Sequence, residues 1–228
     1  MKVSFNETTT QEPSNALVPR AEQAVALSEG ADIDRSDLVT PTLNVVAKVG
    51  DLSNIFSPGS IVLDKTIELV KKDRPLDVIA VSITKSYQED TEFGEEFGKR
   101  ARTLAEVQAN GGQVDDRDGE NYYVSVARII FLVKKTAEVA VEADPFFFQT
   151  IGDDQYLLAQ YYARNSAYSS VAKPLFTLKT MQGSPSKLAY QLRSSLHTFN
   201  GNSWFRPNLR PNGKPSDAVA EFIAKINI

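Results

Sequence analysis

The chain has no cysteine, so disulfides, thiolate nucleophiles, Cys-ligated zinc and iron–sulfur clusters are excluded at the outset. It has one histidine, His197, which rules out a multi-histidine metal centre and forces any His-based triad through that residue. No apolar run reaches the roughly 18 residues of a helical membrane span. The opening MKVSFNETTTQEPSN lacks the apolar stretch of a secretory signal. No P-loop or G-x-G-x-x-G occurs, and GKRARTL brings Gly and Lys together without the phosphate-cradling spacing. These absences lead to the expectation of a cytoplasmic, non-enzymatic protein with no cofactor, no metal and no membrane partner.

The most informative absence is local. Residues 155–216 hold eight basic residues and no acid, where the chain-average frequency would place about eight Asp or Glu. The remainder is acidic: residues 1–37 carry three basic and seven acidic residues, and the whole 228-residue chain has a net charge of −4. Aromatics are interleaved with the cations across the acid-free stretch. Hydrophobic residues at 42% and charged residues at 24% are ordinary for a folded domain of this length.

Residues 1–39 read as a flexible acidic arm, polar and rich in Thr, Glu, Ser and Asn, with a single helix-like patch from Ala21 to Leu27. Order is expected from about Pro41, giving one domain over 40–228 with a long insertion at about 90–120. IVLDKTIELV (61–70) alternates as one half-buried strand, and LDVIAVSITKSYQE (76–89) follows after the turn KKDRP with Ile79, Val81 and Ile83 on one face. So tight a connection implies an antiparallel pair. Thr103 to Glu106 forms a capping box opening a short helix that Gly111-Gly112 ends. NYYVSVARIIFLVKK (121–135) is strongly β-prone, and a bulge near Arg128 would reconcile Val124 and Val126 with Ile129 and Phe131.

Asp153 or Asp154 is expected to cap a helix over 155–170, with Leu157/Tyr161 and Leu158/Tyr162 at i, i+4. PLFTLKT (174–180) reads as a strand, and LAYQLRSSLHTF (188–199) as another with Leu188, Tyr190, Leu192 and Leu196 inward. NGNS (200–203) is a hairpin turn, WFRPNLR returns, and a last helix starts at Ser216 with Val219, Phe222, Ile223 and Ile226 on one stripe. The fold class expected is β-rich α+β: an OB-fold-like five-stranded Greek-key barrel with a helix between strands 3 and 4, plus a C-terminal helix.

Three chemistries compete for these residues. DDRDGE (115–120) fails as a calcium loop, because aligning Gly119 with the invariant glycine puts Val114 and Ser125 at the two essential ligand positions. His197 beside Ser194 and Ser195 has no nucleophile-elbow context. Single-strand binding fits best, since it needs a cationic groove with aromatic faces on which bases stack. The candidates are Lys85 and Tyr87 at the end of their strand, then Lys173, Lys179, Tyr190, Arg193, His197, Phe199, Trp204, Arg206 and Arg210. Among them Tyr190 points inward by its strand phase. Most aromatics in the stretch are equally well accounted for as core.

In its strand and helix order over 60–210, its long insertion and its basic-aromatic segment, the chain resembles the single-stranded DNA-binding proteins of tailed bacteriophages, the T7-type OB-fold branch. That resemblance implies a sequence-tolerant, non-catalytic role in phage DNA replication or recombination, in the host cytoplasm. The partners it implies are single-stranded DNA, replication proteins and further copies of the chain; RNA is open to the same contacts. The family's acidic tail with a terminal aromatic is not matched by AEFIAKINI, which puts partner recruitment through the C-terminus in doubt. The alternative reading is a β-rich structural or assembly protein of the virion, whose basic stretch meets other protein subunits.

Overall fold

The structure is a computed structural model that describes residues 40–91, 98–135 and 148–226. The expected acidic arm lies outside the described residues, all of which fall in the unit Thr40–Ile228. That unit is a β-rich α+β fold built on a curled antiparallel sheet.

A three-stranded sheet is formed by β1 (Leu43–Val45), β2 (Ile61–Leu63) and β3 (Ile67–Val70). The large sheet contains β4 (Leu76–Glu89), β5 (Arg100–Ala101), β6 (Tyr123–Lys134), β7 (Phe148–Ile151), β8 (Asp154–Arg164), β9 (Ala189–Phe199) and β10 (Asn202–Pro211). Its order is β10-β9-β4-β6-β8-β7, with β5 paired to β4. Among the described residues four α-helices punctuate the strands: α1 (Leu104–Ala109), α2 (Asn165–Ala167), α3 (Lys173–Gln182) and α4 (Asp217–Lys225), with a π turn at Tyr168–Ala172 joining α2 to α3. None of the described helices is long and apolar enough to cross a membrane.

The strand expected over 61–70 is a hairpin instead. Asp64 and Lys65 take positive φ (45° and 61°) and fold β3 back on β2, so the alternation continues through a turn. The expected pairing of this segment with 76–89 also fails, because β3 and β4 belong to different sheets. β4 itself has the expected limits. Its register against β6 slips between Ala80 and Ser82, leaving Val81 as a bulge. Leu76, Val78, Ala80 and Ile83 therefore all face the main core, whereas Ile79 and Val81 pack in an outer cluster.

β6 needs no bulge at Arg128, since its register with β8 is unbroken. Both its faces are covered: Ala127, Ile129, Phe131 and Val133 enter the main core, and Leu132 joins the outer cluster under Val219, Phe222 and Ile223 of α4. β8 replaces the expected helix over most of 155–170 for the same reason. Leu157, Ala159, Tyr161 and Ala163 face inward while Tyr156 and Leu158 face the outer cluster, and an even i, i+4 spacing suits a strand as well as a helix. Residues 174–180 are helical rather than a strand, with Pro174 in the first turn and Gly183 at φ 79° ending the helix.

The remaining local signals hold. Thr103 caps α1, its hydroxyl accepting the Glu106 N–H at 3.2 Å, while Glu106 Oε2 reaches back to the Arg102 N–H at 2.6 Å. Asn200 and Gly201 both have positive φ, the type I′ geometry of a two-residue hairpin. The small sheet packs on the large one through the main core, with polar contacts at its margins. Thr42 bridges Gln160 of β8, and Lys48 Nζ donates to Ser203 Oγ of β10 at 2.6 Å. Gly59, at φ +92°, admits the Phe205 ring where a Cβ would stand 2.7 Å from its carbons.

Candidate nucleic-acid interface

Six of the eleven candidate residues lie on one face of the β9–β10 ribbon. Along β9, Tyr190, Leu192 and Ser194 are buried, which turns Gln191, Arg193, Ser195, His197 and Phe199 to the opposite face. The register sets Trp204 opposite His197, Arg206 opposite Ser195, Asn208 opposite Arg193 and Arg210 opposite Gln191. Directly paired residues share a face, so Arg193, His197, Phe199, Trp204, Arg206 and Arg210 form one surface. It contains no carboxylate; the first acid at its border is Asp77, paired with Gln191 and hydrogen-bonded by Asn212 Nδ2 at 3.3 Å.

Neutral groups hold the two central guanidiniums. Arg193 Nη2 donates to Gln191 Oε1 at 2.7 Å, Arg206 Nη2 to Asn208 Oδ1 at 3.4 Å, and Asn208 Nδ2 to Ser195 Oγ at 2.5 Å. The Nε atoms of both arginines are buried without a hydrogen-bond partner. Partly buried, uncompensated cations of this kind favour an incoming anion, because the desolvation cost of the charge has already been met by the fold. At the hairpin end, the His197 and Trp204 rings meet edge to face at 4.9 Å, and the indole N–H donates to Ser166 Oγ at 3.2 Å. Phe199 is 62% exposed. Leu196, expected inward, is 49% exposed, since β9 has by then run past the end of β4.

The other candidates separate from this face. Tyr190 is 2% exposed with its hydroxyl donating to Pro185 O at 2.8 Å, so it cannot stack a base; burial pushes its phenol up to about 12. Lys179 lies on α3 and donates to the Ile83 carbonyl at 3.2 Å, and Lys173 is exposed at the start of that helix. Both therefore leave the strand surface on which alternation had set them. Lys85 and Tyr87 are on β4, with the ammonium 4.7 Å from the ring centroid. Hydrogen bonding to Tyr87 raises the Lys85 pKa above its usual value despite partial desolvation.

Tyr87 also belongs to a site that the sequence did not disclose. A cavity of about 430 Å³ is lined by Tyr87, Tyr162, Lys65, Arg100 and Arg164, with Val126 in its wall and no carboxylate among the described residues. The three cations come from the β2–β3 turn, β5 and the end of β8. Arg164 was legible as part of the acid-free stretch, but nothing in a linear reading joins it to Lys65 and Arg100. A second cavity, of about 340 Å³, is internally neutralised: Lys134 Nζ meets Asp154 Oδ2 at 2.6 Å, and that hydrogen bond raises the Lys134 pKa.

Compared with protein-family models, curated proteins and solved structures, the chain gives no match.

Among the described residues no group of three or more His, Asp or Glu is placed to hold a metal ion. In the loop at 115–120 the Asp116 carboxylate accepts the Asp118 N–H at 3.1 Å, which makes the segment a self-bonded Asx turn. The arrangement as a whole can neutralise phosphates and stack flat rings.

Proposed function

We propose that the protein is a non-catalytic, sequence-tolerant single-stranded DNA-binding protein of phage replication or recombination. One observation carries the reading: the acid-free β9–β10 face gathers Arg193, Arg206 and Arg210 with His197, Trp204 and Phe199, and leaves two buried guanidinium nitrogens unpaired. Phosphates run along the three arginines, and bases stack at the hairpin end on Trp204 and Phe199. Each stacked base contributes about 1–3 kcal/mol whatever its identity, which is why such a surface tolerates sequence.

The connectivity supports a barrel of the OB type. Counting only β4, β6, β8, β9 and β10, the helical segment falls between the third and fourth strands, and the sheet order reads fifth, fourth, first, second, third. On this reading each of the five strands lies one step later in the chain than the sequence pattern placed it.

Because Trp204 is the sole tryptophan, its fluorescence tests the reading directly. Titration with a single-stranded oligonucleotide carrying a 5′-hydroxyl quenches or shifts the indole emission, and duplex DNA does not compete. Emission unchanged at concentrations where the oligonucleotide is bound would move the strand off this face.

A further inference from the structure

The basic cavity behind Tyr87 has features that a phosphodiester groove does not require. Its three cations converge from elements distant in sequence: Lys65 from the β2–β3 turn, Arg100 from β5 and Arg164 from the last position of β8. Among the described residues none of the three has an ion-pair or hydrogen-bond partner for its side chain. Asp64, the acid adjacent to Lys65, is occupied in accepting the Thr42 N–H at 2.6 Å. Lys65 also sits at φ 61°, in the left-handed region that favours glycine.

The charge count identifies the ligand class. A phosphodiester carries one negative charge, whereas a phosphomonoester carries about −1.5 to −2 near neutral pH. Three unpaired cations around one cavity match the dianion. Tyr87 and Tyr162 line the same space and provide flat faces for a base, with Val126, 6% exposed, as an apolar wall. The volume, about 430 Å³, is within the range of small-molecule sites. We infer that this cavity binds a nucleotide through its terminal phosphomonoester, either as a free mononucleotide or as the 5′-phosphorylated end of a strand. The site is separate from the β9–β10 face, and a 5′-hydroxyl oligonucleotide reports on that face alone, so failure of one reading leaves the other intact.

The test is isothermal titration calorimetry of the full chain with dTMP, thymidine and inorganic phosphate. dTMP is expected to bind at least about tenfold more tightly than either of the other two, since each supplies only half of the recognised chemistry. Arg164→Gln weakens dTMP binding by about tenfold, the usual scale for one charge-assisted contact. Lys65→Gly weakens it similarly without lowering the melting temperature, because glycine suits the turn. Titration of 30-nucleotide strands with and without a 5′-phosphate then assigns the source. A phosphate-dependent gain that Arg164→Gln abolishes identifies the strand end, and equal affinities alongside dTMP binding identify the free nucleotide. Equal binding of dTMP and thymidine, inorganic phosphate binding as tightly as dTMP, or dTMP binding indifferent to both substitutions would overturn the assignment.

Discussion

Arg193 and Lys179 are both cations of the acid-free stretch, and the fold gives them opposite fates. Arg193 is held by the neutral Gln191 with its Nε unpaired, whereas Lys179 spends a proton on the Ile83 carbonyl. If the first neutralises a phosphate, Arg193→Gln lowers the slope of log K against log salt by about 0.7, the single-strand value for one contact. Lys179→Gln leaves that slope unchanged; salt-dependence titrations of the two variants decide between these roles. Tyr190 supplies a pH prediction. Its buried phenol ionises only near 12 in the folded state, while the unfolded chain releases the proton at about 10. Its contribution is therefore intact below pH 10 and falls as pH rises towards 12, with burial shifting Tyr161 in the same direction. Denaturant unfolding across pH 9–12 should show this decline, and Tyr190→Phe should make it shallower.

The elements explain what could be read from the sequence. The limits of β4 were legible from its bounding turns, although the Val81 bulge separates Ile83 from Ile79 and Val81, which alternation had set on one face, and the Asn200-Gly201 hairpin was legible because few other residues adopt paired positive φ. β8 was not, because both faces of its first half are covered: Leu157 meets the main core and Tyr156 and Leu158 the outer one. Its pattern lost the period of two that marks a half-exposed strand. α3 was misread for the converse reason. Phe176 and Leu178 alternate, yet both pack on the main core beside the fully buried Leu175, as a helix face requires. The ribbon face survived these errors because the alternation of β9 was correct over Tyr190 to His197. Gly59 tests how the ribbon is seated. Gly59→Ala combines a positive φ with a Cβ against the Phe205 ring, and should destabilise the protein by about 1–3 kcal/mol in chemical denaturation.

At the scale of the molecule, the charge is divided between an acidic remainder and the basic stretch that builds β9 and β10. The cavity at Arg164 and the hairpin end are joined by a short step in the chain, since Ser166, the partner of the Trp204 indole, lies two residues after Arg164. Residues 1–37 hold seven acidic residues against three basic ones, and competition of this segment with a strand for such surfaces is a testable consequence of the proposed function. Removing them should tighten single-strand binding at low salt, and unchanged affinity would dispose of that competition. The central claim is met most directly by fluorescence anisotropy with a labelled, 5′-hydroxyl, single-stranded oligonucleotide of about 30 nucleotides, at low and moderate salt with duplex as competitor. The account predicts tight binding that falls with salt and resists duplex. Absence of binding at low salt would contradict it and turn the acid-free face into a surface for another protein.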